Sequence, residues 1–177
     1  MIKLSPTMQK FVLHWGEMGT RWGINRTMAQ VHALLYIAPK PLNAEEIADT
    51  LSVARSNVST SLRELQGWGI VKIVHVLGDR RDHFESMKDV WEMFQVILNE
   101  RKRREIDPTI AVLKECLAEA EKGGPQESET KDRLKQMLDF FTTMITCYEQ
   151  VRKLPAPALV KFLNAGEKMK KLLGLAS

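Results

Sequence analysis

Apolar residues recur at helical spacing along most of the chain, and prolines and glycines divide this pattern into separate elements. The first stretch, residues 8–22, follows Ser5 and Pro6, which favour a helix start with a hydroxyl cap and a proline in the first turn. Asn25 is a suitable cap for a second helix, and the prolines of segment 39–41 end it. The pattern therefore predicts two helices before residue 40.

The next block has the pattern of a helix-turn-helix. Asn43 and Glu46 have the spacing of a capping box, which begins a short helix that ends in a turn at residues 52–54. A second helix follows, and Gly67 is expected as the left-handed residue just after it. Three apolar residues of this second helix share one side and are expected to face inward: Val58, Leu62 and Leu65.

The periodicity then becomes that of β-strands. Residues 70–77 are rich in β-branched side chains and predict a strand, and residues 82–86 predict its return. The polar tetrapeptide Gly78-Asp79-Arg80-Arg81 between them is expected to be the hairpin tip. A helix-turn-helix followed by a hairpin predicts a winged helix-turn-helix.

The remainder of the chain has helical periodicity. A helix from about residue 88 meets Asp107 and Pro108, which are expected to kink or restart it with Asp107 as the cap, and glycines 123–124 break the next helix. The following helix, about 127–153, has a seam in a 4-3-4-3 spacing: Leu134, Leu138, Phe141, Ile145 and Tyr148, widened by Met137, Met144 and Val151. A final helix is expected after Pro157.

These elements define the predicted fold class, which is mainly α with a small antiparallel β-hairpin. Residues 1–87 are expected to form a winged helix-turn-helix DNA-binding domain, and residues 88–177 a helical dimerisation region. The apolar side of helix 127–153 is wider than one neighbouring helix covers, so we expect a homodimer. A two-fold dimer would present its recognition helices about 34–36 Å apart, to a pseudo-palindromic double-stranded DNA operator.

The polar side of the second helix of the helix-turn-helix is expected to read the DNA major groove. Asparagine can bond adenine in a bidentate manner, arginine can bond guanine or phosphate, and small hydroxyls allow a close approach. Any solvated helix also has a polar side, but Glu64 is the only carboxylate between Arg55 and Gln66. The predicted base-facing residues are Arg55, Ser56, Asn57, Ser59 and Thr60, and Arg63 is assigned to phosphate.

The arginines of the hairpin, Arg80 and Arg81, are the predicted wing contacts to a minor groove or to phosphates. A solvated turn is the alternative for this tetrapeptide taken alone. Its position directly after a helix-turn-helix favours the DNA contact.

The block 42–59 resembles the helix-turn-helix of the MarR superfamily, and segments 67–71 and 78–84 resemble its strand and wing. Segment 11–23, with Trp15 and Trp22, narrows the resemblance to the GbsR branch, and the similarity covers about residues 7–120. It implies a homodimeric DNA-binding transcription regulator, often a repressor and sometimes tied to choline or glycine betaine genes. Ala54 departs from the pattern because many members have a serine or threonine cap there.

A small-molecule effector is a further hypothesis, with Trp15 and Trp22 as candidate binding residues. They lie seven residues apart, on the same side of a continuous helix, and indole faces attract quaternary ammonium groups. The alternative is that both tryptophans are core residues. The expected place for such a site is the junction of the first helix and the dimerisation helices.

Composition and charge exclude several other classes. The 177 residues carry 26 Lys and Arg against 22 Asp and Glu, a net charge of +4 that is compatible with a polyanionic partner. No apolar run is long enough to span a membrane, no secretory signal is recognised, and two cysteines fit a reducing compartment, so a cytoplasmic location is expected.

No residues stand out for catalysis, for a metal or for a cofactor. The four histidines lack ligand spacing, no nucleophile–base pair is recognisable, and the basic run 101–104 is more typical of a solvated helix face. An enzyme is therefore disfavoured. A winged-helix module that binds protein and never contacts DNA remains as the alternative.

Overall fold

The computed structural model describes residues 3–124 and 127–155, together with residues 157, 158, 161 and 165. It divides into two compact units between Ile97 and Leu98. The predicted functional boundary at residue 87 remains a prediction. No helix in the described part of the chain is long and apolar enough to cross a membrane.

The first unit begins with two helices, α1 (Pro6–Arg21) and α2 (Arg26–Ile37), whose predicted caps are confirmed. The Ser5 hydroxyl accepts a hydrogen bond from the Met8 amide at 3.3 Å. The Asn25 side chain accepts from two amides at the start of α2. These side chains satisfy amides that a helix end leaves without a partner.

Two glycines let α1 and α2 approach closely. A Cβ atom at Gly19 would lie 2.5 Å from the Cβ atom of Ala29, and one at Gly16 would lie 2.6 Å from Cγ of Gln30. Both glycines are buried on α1, so they serve helix packing even though glycine is a weak helix former.

The helix-turn-helix consists of α3 (Ala44–Leu51) and α4 (Arg55–Gly67). The predicted capping box is confirmed, since the Asn43 side chain accepts from the Glu46 amide and the Glu46 carboxylate accepts from the Asn43 amide. The prediction for Gly67 is wrong, because this residue is still helical and Gly69 carries the positive φ of +78°. The chain turns two residues later, to begin the next strand.

The sheet has three antiparallel strands, β1 (Leu42–Asn43), β2 (Val71–Val76) and β3 (Asp79–Ser86), in the order β1-β3-β2. The first strand was not predicted, because two residues are too short to show strand periodicity. Leu42 pairs with Phe84 and Asn43 with His83, so β1 ties the start of α3 to the wing.

The hairpin turn is shorter than the predicted tip 78–81 and begins one residue earlier. Leu77 and Gly78 form the turn, Gly78 has a φ of +85°, and Val76 pairs with Asp79. Arg80 and Arg81 therefore belong to β3 and not to the tip, because the tight turn lets β3 begin at Asp79.

The core of the first unit lies between α2, α3, α4 and the inner face of the sheet. The predicted inward side of α4 is confirmed, since Val58, Leu62 and Leu65 are all buried. Met93, in the helix that follows the sheet, completes the same core.

The later helices are α5 (Val90–Arg101), a π-helical turn (Lys102–Ile106), α6 (Asp107–Lys122) and α7 (Ser128–Val151). Asp107 was predicted to be a non-helical cap, which is wrong: its φ of −60° and ψ of −43° are helical. A proline inside a helix lacks its amide and crowds the carbonyl one turn earlier, and the wider π turn accommodates Pro108 at this place. The helix predicted after Pro157 lies largely outside the described residues.

The inner seam of α7 is the predicted set Leu134, Leu138, Phe141, Ile145 and Tyr148. All five are half-buried, and α7 packs on α6, where Leu113 is buried. Tyr148 donates its hydroxyl to the Asn99 side chain at 2.8 Å.

Candidate nucleic-acid interface

Helix α4 has a buried apolar side and an exposed polar side, as the sequence predicts. Its exposed predicted contacts are Arg55, Ser56, Asn57, Thr60 and Arg63, and Ser59 is half-buried. The helix begins after Ala54 with no side-chain hydrogen bond at its cap. The first-turn amides of α4 are thus not covered by a capping side chain.

The wing arginines lie on β3, where Arg81 is held by carboxylates. Its guanidinium donates to both oxygens of Asp79, the shortest bond being 2.6 Å from Nη2, and also to Oε2 of Glu45 at 3.2 Å. These hydrogen bonds raise the pKa of Arg81 above its usual range and lower that of Asp79 well below its own. Both groups are therefore charged throughout the pH range in which the protein would act.

Glu45 also bonds the recognition helix. Its Oε1 accepts from Nη1 of Arg55 at 3.3 Å, while its Oε2 accepts from Arg81. One carboxylate on the first turn of α3 thus contacts an arginine from α4 and an arginine from β3.

These residues line an open groove of about 350 Å³ between α4, the start of α3 and β3. Four predicted site residues meet there, namely Arg55, Ser59, Arg63 and Arg81. The other four are not in its lining: Ser56, Asn57, Thr60 and Arg80.

The groove lining also includes polar residues that the sequence does not predict as part of the site: Asn43, Glu45, Gln66 and Asp82. Glu45 carried only a local signal, as a carboxylate in the first turn of α3. Its contact to Arg81 spans 36 residues, so no pattern in the sequence indicates it.

The two tryptophans of the predicted effector site contact each other. The ring centroids of Trp15 and Trp22 are 5.8 Å apart with an interplanar angle of 89°, an edge-to-face arrangement. Trp15 also packs against Phe11 and the core, whereas Trp22 is about half exposed at the end of α1.

The basic run 101–104 is paired with nearby carboxylates of α5 and α6, as expected of a solvated face. Arg103 and Arg104 both donate to Glu100, and Lys102 donates to Asp107 at 2.8 Å. Within the described residues, no three His, Cys, Asp or Glu side chains are grouped so as to hold a metal ion.

A helix-turn-helix with an antiparallel hairpin directly behind its second helix defines a winged-helix protein. A family model described as "MarR family" matches residues 22–82 of this chain. The HTH-type transcriptional repressor GbsR of Bacillus subtilis (strain 168) is 21% identical over 136 residues, which cover 75% of each protein. A crystal structure described as a transcriptional regulator matches with a TM-score of 0.55 and 24% identity, over 82% of this chain and 99% of the other.

The first two of these matches support a MarR-superfamily, GbsR-like protein. The fold class predicted from the sequence is confirmed, with one strand more than expected. The matches support a DNA-binding transcription regulator and not an enzyme.

Proposed function

We propose that this protein is a homodimeric repressor of transcription that binds a pseudo-palindromic site in double-stranded DNA. The observation that carries the proposal is the convergence of three polar residues of α4 (Arg55, Ser59 and Arg63) and of Arg81 on one groove. A helix in a major groove and a ribbon over the adjacent backbone need such a joint surface. The MarR family match over the same residues supports it.

The individual roles follow from exposure and chemistry. Asn57 and Thr60 are exposed on α4 and are assigned to base edges, together with Arg55, Ser56 and Ser59. Arg63, further along the helix, is assigned to a phosphate. Arg80 and Arg81 are assigned to the backbone or the minor groove next to the recognition helix.

The proposed dimer uses an outer seam of α7, defined as Met137, Phe140, Met144, Cys147 and Val151. These positions repeat the 3-4 spacing of a helix-packing surface, but on another side than the inner seam. Met137, Phe140 and Met144 are 53%, 59% and 54% exposed, an unusual density of large apolar groups for a solvated helix. A second copy of the chain would cover them.

Control by a small molecule is the most specific part of the proposal. The pair Trp15 and Trp22 brings two indole rings into edge-to-face contact, and indole faces attract quaternary ammonium groups. Titration of choline and glycine betaine against tryptophan fluorescence, with Trp15→Phe as the control, tests it. No saturable change up to millimolar ligand would contradict this part alone.

Selection of bound duplexes from a random DNA pool, at stated salt, tests the proposed function. The expected result is an enriched pseudo-palindrome whose half-site centres are about one DNA turn apart. Failure to enrich any sequence, with only weak binding that does not depend on salt, would instead favour the protein-interaction module.

A further inference from the structure

Glu45 occupies the point where the two proposed DNA-reading elements meet. Its two carboxylate oxygens are used separately: Oε1 accepts from Arg55 on α4 at 3.3 Å, and Oε2 accepts from Arg81 on β3 at 3.2 Å. Since Arg81 also pairs with Asp79, four side chains form a chain of ion pairs from the recognition helix to the wing.

This arrangement is unfavourable for simple DNA affinity. Glu45 places a negative charge on the surface that must approach phosphates, and it neutralises part of the charge of two arginines proposed to contact DNA. A basic groove built only for affinity would not contain it, so the contact calls for another explanation.

The two bonds of Glu45 are exposed and therefore exchangeable. The side chains of Arg55, Glu45 and Arg81 are 57%, 55% and 55% exposed, so water and salt screen these pairs. Asp79 is less exposed, at 24%, and holds Arg81 with the shorter bond, so Arg81 keeps its direction when Glu45 releases it.

We propose that Glu45 is a positioning residue that determines sequence discrimination, by fixing Arg55 of the recognition helix relative to Arg81 of the wing. The inference rests on the proposed DNA-binding function. With Glu45 in place, the two arginines are held at a defined separation and are less available to phosphates of any sequence. Correct DNA exchanges both bonds of Glu45 at once, whereas incorrect DNA exchanges at most one.

Two substitutions distinguish the effect of the Glu45 contact to both arginines from the effect of its negative charge. Glu45→Gln keeps the length and removes the charge. Glu45→Asp keeps the charge in the first turn of α3 but is one methylene shorter, too short to hold both guanidinium groups. Glu17→Gln, an exposed carboxylate on α1, is the matched control for loss of charge.

The measurement is the dissociation constant of the full-length protein for a selected duplex and for a random duplex of equal length, by fluorescence anisotropy. We expect both Glu45 variants to lower the ratio of selected to random affinity by about 3- to 10-fold, the range that two exposed ion pairs allow. The Gln variant is expected to do so mainly by binding random DNA more tightly. In an Arg81→Ala background the effect of Glu45→Gln on the ratio should largely disappear, because Glu45 acts through that arginine.

Three results would overturn the inference. The first is that both Glu45 variants have the same ratio of selected to random affinity as the wild type. The second is that Glu45→Gln lowers this ratio while Glu45→Asp preserves it, because charge alone would then explain the effect. The third is that Glu45→Gln changes the ratio equally in the Arg81→Ala background. If the wild type itself does not distinguish the duplexes, the proposed function fails and the inference fails with it.

Discussion

The two units differ in how much of their apolar surface their own chain buries. In the first unit, α2 to α4 and the sheet enclose a continuous core, in which Val31, Leu34, Leu42, Ile47 and Val58 are fully buried. In the second unit, Leu113 is the one buried residue among those the structure describes. The first unit buries a core of its own, whereas the second leaves large apolar side chains of α7 exposed.

The difference shows that one helix, α7, can have two apolar seams, of which only one packs within the chain. On α7 the inner seam is half-buried within the chain, while four of the five outer-seam residues are exposed and Val151 is half-buried. The two seams are only partly overlapping in angle, so a single neighbouring helix cannot cover both. The exposed seam is the part of the molecule that we expect an additional copy to bury.

The largest expected effect is the loss of the proposed dimer contact on α7, with no change in the winged-helix unit. Met144→Glu places a carboxylate at the centre of the outer seam, and a two-fold dimer would bury two such charges. We expect the dimer dissociation constant to rise by about 1,000-fold, equivalent to roughly 2 kcal/mol for each carboxylate. Analytical ultracentrifugation at micromolar concentration checks this.

Thr146→Glu is the matched control for that substitution, because Thr146 is exposed on α7 and belongs to neither seam. It should leave the dimer intact. A monomeric wild type, or a Met144→Glu variant that dimerises as tightly as the wild type, would show that the outer seam is not the interface.

The next effect concerns the core of the winged-helix unit alone. His32 is buried on α2, and burial lowers its pKa from 6.5 to about 4. The unfolded chain therefore binds the proton more tightly, so this contribution to stability is complete above pH 6.5 and is lost as the pH falls towards 4. The free energy of unfolding should decrease by roughly 3 kcal/mol across that interval.

Denaturant unfolding at several pH values checks the prediction, with His32→Leu as the test and His14→Leu, an exposed histidine on α1, as the control. The His32 variant should show a flatter pH dependence. Equal pH dependence in all three proteins would mean that other groups cause the acid sensitivity.

The sequence predicts features that depend on neighbouring residues or on apolar periodicity, and it fails where contacts join residues distant in the chain. The caps at Ser5, Asn25 and Asn43 and the buried side of α4 follow from short-range chemistry, and all are observed. Strand β1 was missed because its two residues are strand only through pairing with β3, some forty residues away.

The same limit applies to the candidate site. Residue types alone indicate the polar face of α4. The groove cannot be predicted in this way, because it depends on how α3, α4 and β3 pack together. The hairpin tip was misplaced because Gly78 permits a tighter turn than the polar tetrapeptide indicates. The Glu45 bridge joins Arg55 and Arg81 across ten and 36 residues, distances at which no periodicity exists.

A smaller effect tests the close approach of α1 and α2 within the winged-helix unit. Gly19→Ala would place a Cβ atom 2.5 Å from that of Ala29, so the helices must separate. We expect a loss of about 1–3 kcal/mol of stability despite the better helix propensity of alanine. Thermal unfolding checks it, and Gly67→Ala, where a Cβ atom meets nothing within 4 Å, is the control. A stabilised Gly19→Ala variant would contradict the packing.

The most direct test of the central claim, that α4 reads bases while the wing holds the backbone, is DNA affinity measured against salt. A selected and a random duplex are titrated with four proteins: the wild type, Asn57→Ala, Arg80→Ala and Arg81→Ala. The wing variants should bind both duplexes more weakly and reduce the slope of log K against log salt by about 1, whereas Asn57→Ala should cost about 1–3 kcal/mol on the selected duplex alone. If all variants bind both duplexes like the wild type at every salt concentration, the account of this surface is wrong.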